Sequence, residues 1–335
     1  MGTFRRRSLP AAVLAATLSL PVTAAAEIDF DPVGPAPGNL RFAWIHGSIS
    51  ARHNTDVRVQ VHRYNEHSYI LRQNPAVDWE APFMYLLLGE ERALLLDAGA
   101  TANADWFPLR AAVDAVLERW ADARHADVPE LVVLATSDAP AQVDGLAQFR
   151  DRPDTTVIEP TVAAVSSALA LDGWPDSTAT LDLGGRVLTV LPTPGVAEPA
   201  LSVYDPYTDF LFTGTTVLPG RIVIRDFEAY DASIEKLRDF AAAHPVKWIM
   251  GGQIDMSTTP GVDYRLRSNF RPNERKLQLD PALLGTVRDV VKLINGREHV
   301  EVLADLIVMN GVGRGHRPYG YPVYVPDPLL SRRLR

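Results

Sequence analysis

The chain has 335 residues, 47% of them hydrophobic and 22% charged, with a formal net charge of −8 and no cysteine. That is enough apolar mass for one large domain to bury its own core. The acidic balance removes the electrostatic case for nucleic acid or an anionic membrane as partner, and the missing cysteines exclude disulfides, a thiol nucleophile, a lipid-modified cysteine and any thiolate-held metal.

The N-terminus reads as a targeting segment. Arg5, Arg6 and Arg7 form a positive head, Ala11–Leu20 a short apolar run, and Ala24-Ala25-Ala26 a small-residue cleavage site before Glu27. This predicts a signal peptide over 1–26 and an exported chain, periplasmic or secreted, with no membrane anchor after cleavage, because the apolar run is too short to span a bilayer. Arg6-Arg7-Ser8-Leu9 resembles a twin-arginine signal except for Arg5, so the general and twin-arginine export routes both stand. Cleavage removes three arginines and leaves a net charge of about −11.

From Glu27 to Leu40 prolines and glycines predict an irregular lead-in, and the chain from 27 to 335 reads as one domain with an N-terminal strand extension. Val57–Arg63 alternates as a half-exposed strand does, and Tyr69–Arg72 can pair with it across Asn65-Glu66. Pro82–Leu88 and Ala93–Leu96 flank Gly89-Glu90-Glu91 as a hairpin. Leu109, Val113, Val116, Leu117 and Trp120 recur at helical spacing, predicting an amphipathic helix over 108–124. Leu131–Leu134 is a buried strand that breaks into a polar turn and resumes as a helix after Pro140. A strand at 155–159, a helix at 162–169 and strands at 178–183, 186–191, 201–204 and 210–213 follow. A helix carries Ile234, Leu237 and Phe240. Trp248–Met250 is a short strand, Asp280-Pro281 opens another helix, and Val300–Met309 reads as one long last strand. Strands dominate both halves with helices between them, which predicts an α/β fold of two sheets sandwiched between outer helices.

Four separated segments add a resemblance. The strand before Thr136 runs into T-S-D-A-P-A-Q-V-D-G, a frame similar to the T-H-x-H-x-D-H loop of metallo-β-lactamase-fold hydrolases, of the glyoxalase II-like kind. Asp97-Ala98-Gly99 stands where that family has D-T-G. Thr193-Pro194-Gly195-Val196 matches its P-G-H turn, Phe212-Thr213-Gly214-Thr215 its F-x-G-D, and Gly251-Gly252-Gln253 its G-G-H. The resemblance covers about 80–330 and implies a four-layer αββα sandwich. At the family's metal-ligand positions it places Ser137, Ala139, Ala141, Gln142, Val196, Thr215 and Gln253. Relatives are metal-dependent hydrolases, in which zinc brings a bound water to a pKa of roughly 7. Two alanines and a valine coordinate nothing, and neutral hydroxyls and amides do not offset the desolvation of a divalent ion. The expectation is a degenerate member with no metal and no other cofactor.

Alternatives stay open. Asp138, Asp144 and Asp255 lie near matched positions and would suit a hard cation. His46, His53, His62 and His67 cluster near the N-terminus, where hydrogen-bonded structural roles compete with a displaced metal site. His244 ends a helix, which its dipole explains; His125, His299 and His316 are scattered. Ser137 sits at a strand end as a nucleophile would, but no histidine occupies a matched position to serve as its base. If the cleft persists, Ser137, Gln142, Thr215, Thr216 and Gln253 offer hydrogen bonds to a ligand, Asp138 is a further candidate contact, and Arg265, Arg267 and Arg271 could hold a carboxylate or phosphate from the pocket mouth. Three readings result: a non-catalytic exported protein that binds a small-molecule or protein ligand, an enzyme acting by metal-free or displaced-metal chemistry on an ester, thioester or lactam, and a purely protein-interacting role.

Overall fold

The computed structural model describes residues 1–2, 27–313 and 323–324. The targeting segment and His316 lie outside that range, so neither the signal reading nor a role for His316 has a structural counterpart. No helix among the described residues is long and apolar enough to cross a membrane.

The lead-in from Glu27 is irregular apart from a 3₁₀ turn at Ala51–His53, and runs into β1 (Val59–Asn65). Then follow β2 (Ser68–Gln73), β3 (Phe83–Leu88), β4 (Arg92–Leu96), helix α1 (Leu109–Arg124), β5 (Glu130–Leu134), the single turn α2 (Pro140–Val143), β6 (Thr155–Ile158) and α3 (Val162–Ala168). The six strands form one sheet in chain order, antiparallel from β1 to β4 and parallel from β4 to β6. The parallel steps are the ones that need crossovers, and α1 and α2 lie in them.

The second half opens with β7 (Ala179–Asp182), β8 (Val187–Pro192), β9 (Leu201–Asp205) and β10 (Phe210–Gly214), continues through β11 (Arg221–Ile224), α4 (Phe227–Ala243), β12 (Trp248–Gly251), β13 (Asp263–Tyr264) and β14 (Gln278–Leu279), and ends with α5 (Leu283–Ile294), β15 (His299–Val302) and β16 (Ile307–Asn310). A second six-stranded sheet has the order β14-β12-β10-β9-β8-β7, and β11, β16 and β15 make a small third sheet.

The alternation of each strand sorts its side chains into layers. Phe83, Tyr85, Leu87, Leu94 and Leu96 point between the sheets and meet Leu188, Val190, Val203 and Phe212. Their neighbours Met84, Leu86, Leu88, Ala93 and Leu95 face outward onto Val113, Val116, Leu117 and Trp120 of α1. On the far side Tyr204, Leu211 and Ile249 pack under Ile234 and Leu237 of α4 and Val287 and Val291 of α5. The order of layers is helix, sheet, sheet, helix.

Three details differ from the sequence reading. The last strand is a hairpin: Leu303 donates to the Leu306 carbonyl at 2.9 Å, turning the chain between β15 and β16. The helix expected at Asp280-Pro281 starts at Leu283, because the Asp280 carboxylate accepts from the Ala282 N–H at 2.9 Å and holds those residues in a turn. The stretch after Pro140 makes one α turn and passes into a 3₁₀ turn over Asp144–Gln148.

Candidate functional site

The ends of β4, β5, β8, β10 and β12 converge on one side of the sandwich, and a buried carboxylate organises them. Asp97, just past β4, has left-handed backbone (φ 66°) and no solvent exposure. Its Oδ1 accepts from the Thr136 N–H at 2.6 Å, and the Thr136 hydroxyl lies 2.9 Å from both carboxylate oxygens. Burial pushes the Asp97 carboxyl up to about 7, against the lowering effect of those two hydrogen bonds. The other loops are tied to this point through backbone: Ala98 donates to the Gln142 carbonyl, Leu201 to Thr136, Gly252 to Gly214 and Phe83 to Gly252, each at 2.8 Å. Gly214 must be glycine, since a Cβ there would stand 2.1 Å from Thr136 Oγ1 on a backbone with φ 52°.

The structure brings the positions singled out in the sequence together at these loop ends, but not around an open cleft. Ser137 and Gln142 have no solvent exposure, and Ala141, Thr216 and Gln253 have 2%, 1% and 3%. Val196 is buried, Ala139 and Thr215 are half-buried, and Asp138 points to solvent. The hydroxyls and amides are mostly committed to neighbours. Ser137 Oγ accepts from the Ala139 N–H at 3.3 Å, the Thr193 hydroxyl lies 3.1 Å from Ser202 Oγ and 3.4 Å from Thr216 Oγ1, and Gln253 donates to Asp255 at 3.4 Å. The loop after β10 closes the space, with Leu218 so near that a Cβ on Gly251 would come within 2.6 Å of its side chain. Most of the matched positions are therefore sealed from solvent instead of lining an open cleft, with Leu218 packed on Gly251 beside Gln253.

A metal does not fit this donor set. Among the described residues no three His, Asp or Glu side chains converge where they could hold an ion. At the matched positions Ala139, Ala141 and Val196 bring no donor atoms. Gln142 stands apart, its amide oxygen and nitrogen both buried without a hydrogen-bond partner. Ser137 likewise lacks the surroundings of a nucleophile, being sealed from solvent and bonded to its own turn.

Beside Gln253 lies a cluster that the sequence did not reveal. Arg72 makes two bonds to Glu274 at 2.5 and 2.7 Å. Arg271 lies 3.8 Å from Glu274 and 3.9 Å from Asp255, and Arg221 pairs with Asp255 at 3.8 Å and with Asp263. Three guanidiniums and three carboxylates alternate with almost no exposure, so the charge is balanced in place. Arg271 was expected at a pocket mouth. It is instead 2% exposed and donates to the carbonyls of Ile254, Ser268 and Trp79, serving as a clamp between distant loops. Arg265 and Arg267 of the same segment are exposed.

The histidines have structural roles. His62 is buried, 2.6 Å from the Asn39 carbonyl and stacked on Phe42. His67 accepts from the Trp120 indole at 3.0 Å, and burial lowers its pKa to about 4, so it is neutral at pH 7. His244 closes α4, 2.9 Å from the Phe240 carbonyl. His46 and His53 are exposed.

The fold is an αββα sandwich with several loop ends gathered at one end of two facing sheets. Residues 111–252 match the family model described as the metallo-beta-lactamase superfamily. The chain is similar to a solved metallo-beta-lactamase from Pontibacter korlensis, at 16% identity over 70% of this chain and 99% of that one, with a TM-score of 0.45. It is also similar to the DIM-1 metallo-beta-lactamase exposed to ceftazidime, at 11% identity over 72% of this chain and 99% of that one, with a TM-score of 0.47. No curated protein matches.

Proposed function

We propose that this protein is an exported, non-catalytic relative of the metallo-β-lactamase-fold hydrolases, in which a hydrogen-bonded, packed loop junction stands where a metal centre would be, and that it works by binding a small-molecule or protein ligand. One observation carries the reading. The seven positions matched to the family's ligands, Ser137, Ala139, Ala141, Gln142, Val196, Thr215 and Gln253, supply neither imidazole nor carboxylate, and five of them are buried. A hydrolytic zinc needs about three protein donors and an open position for water, and this junction supplies neither. Export rests on the basic head, apolar run and alanine-rich boundary of 1–26.

The test is metal content. The purified protein is incubated with excess zinc, desalted, and measured by plasma mass spectrometry alongside turnover of a lactam and a thioester. The expected result is well under about 0.1 zinc per chain and no turnover that a chelator abolishes. One or two tightly held ions together with chelator-sensitive turnover would overturn the reading.

A further inference from the structure

A groove lies away from the loop junction, along the open edge of the sandwich between β1 and β14. It encloses about 740 Å³. One wall is the lead-in from Gly38 to His46, and the other is the segment from Arg271 to Gln278 together with Lys247 and Trp248 at the start of β12.

The lead-in wall is fixed rather than draped. Asn39 donates to the Tyr64 carbonyl at 2.9 Å, Gln60 accepts from Ile45 N–H at 2.9 Å and donates to the Ala43 carbonyl at 3.1 Å, and Arg271 donates its N–H to the His46 carbonyl at 2.7 Å. Gly38 lies flat on the Tyr64 ring, where a Cβ would approach within 2.4 Å. Aromatic faces line the space: Trp44, half-buried and edge-on to Phe83, Trp248, half-buried, and Phe42, 39% exposed.

The charges are one-sided. Glu274, the carboxylate in the lining, is already held by Arg72 and Arg271, and Arg275 is paired with Asp305. Arg41, Lys247 and Lys276 are exposed, and no carboxylate of the described residues lies within ion-pairing distance of them. Lys247 feels the Asp209 carboxylate at a distance, but three exposed cations beside aromatic faces, on a chain of net charge −8, still bias this groove toward an anion.

We propose that this groove is a binding site for a small planar carboxylate, its apolar ring system lying among Phe42, Trp44 and Trp248 and its anionic group among Arg41, Lys247 and Lys276. Aromatic faces take up a flat apolar body, and clustered cations fix the orientation of an anion at its end. The inference goes beyond the loss of the metal centre and is independent of it, since a chain that bound zinc would carry the same groove.

The test uses 2-naphthoate as the probe, with uncharged 2-naphthol as its control. Indole N–H resonances are followed by ¹⁵N-edited NMR and assigned with Trp44→Phe and Trp248→Phe. The expected result is a saturable shift of the Trp44 and Trp248 signals with 2-naphthoate, weakened about tenfold in the double variant Lys247→Gln/Lys276→Gln and weakened further by salt. Affinity for 2-naphthol should be lower and unchanged by the double variant. Both lysines are exposed, so the variant folds, and an unchanged spectrum away from the groove checks this. No saturable shift, equal binding of naphthoate by the double variant, or shifts confined to other tryptophans would overturn the proposal. Zinc content has no bearing on any of these outcomes, so failure here and failure of the metal-loss reading are separable.

Discussion

Asp97→Asn isolates the energetic consequence of burying a carboxylate that has no counter-charge. The wild-type group titrates at about 7 in the folded protein against 3.8 for the unperturbed side chain, mainly because burial penalises the ionised form. No cation is among the causes; the hydrogen-bonding partner is Thr136, and the nearby titratable group is Tyr85, whose own pKa burial raises. The folded state therefore holds its proton more tightly than the unfolded state does. Below about pH 4 both are protonated and Asp97 costs nothing through ionisation. Between about 4 and 7 the unfolded chain has lost the proton while the folded chain keeps it, and stability falls by about 1.4 kcal/mol per pH unit. Above about 7 the penalty levels off at roughly 4 kcal/mol, the shift converted at that rate. Asparagine keeps the shape, tolerates φ 66°, accepts from the Thr136 N–H and donates to its hydroxyl, and cannot ionise. Urea unfolding of both proteins by tryptophan fluorescence and far-ultraviolet dichroism, in half-unit steps from pH 4.5 to 8, should show Asp97→Asn gaining on the wild type across the acid side and running parallel to it above about 7.5. A difference that stays constant across the whole range would refute the reasoning, since it would mean that the carboxylate ionises as freely when folded as when unfolded.

Gln142→Met should stabilise the protein by about 1–3 kcal/mol, because it removes a buried amide with no partner while keeping the volume. A loss of stability in the same urea experiment would mean that a bound guest satisfies that amide. Arg186→Leu should destabilise by about 3–5 kcal/mol, as it strands the buried Asp205 carboxylate, which Arg186 grips at 3.0 and 2.6 Å; a change below about 1 kcal/mol in unfolding free energy would sink this. Gly214→Ala should cost upwards of about 3 kcal/mol, because the methyl group displaces Thr136 from Asp97. With the two lowering hydrogen bonds lost and the burial kept, it should also widen the pH dependence assigned to Asp97, which a simple clash elsewhere would leave unchanged.

Much of the fold is legible in the chain because its signals are local. The alternation of Val57–Arg63, which falls on β1 with its ends two residues early, the Gly89-Glu90-Glu91 turn and the spacing of Leu109, Val113, Val116 and Trp120 each describe an element that the structure contains. The last hairpin was hidden because Leu303 and Leu306 continue the apolar run, and only the Ala304-Asp305 step between them marks a turn. β11 was missed since its strand character depends on a parallel partner, β16, some 85 residues later. At the loop junction the missing donor atoms could be read directly, residue by residue. Its closure could not, because it depends on where Leu218 lies, and a loop arginine such as Arg271 looks solvated until the carbonyls of Ile254 and Trp79 are found around it.

The junction also explains how the loop ends stay together without a shared ion. Asp97 binds the β5 loop, the β5 loop binds β9 through Leu201, β10 binds β12 through Gly214 and Gly252, and β12 binds β3 through Phe83 and the Tyr85 hydroxyl, 2.6 Å from the Gly251 carbonyl. Each link is an ordinary hydrogen bond with a net value of about 1 kcal/mol, but all are sealed from water, where an unmade bond costs more than a made one gains. The arrangement is stable only if it is complete, and that singles out the exception. Gln142 stands at a matched ligand position, fully buried, with a donor and an acceptor unused, while the nearby Thr193, Ser202 and Thr216 side chains satisfy one another. A guest small enough for this junction would need to offer Gln142 both an acceptor and a donor, which suits a water molecule and does not suit a bare cation.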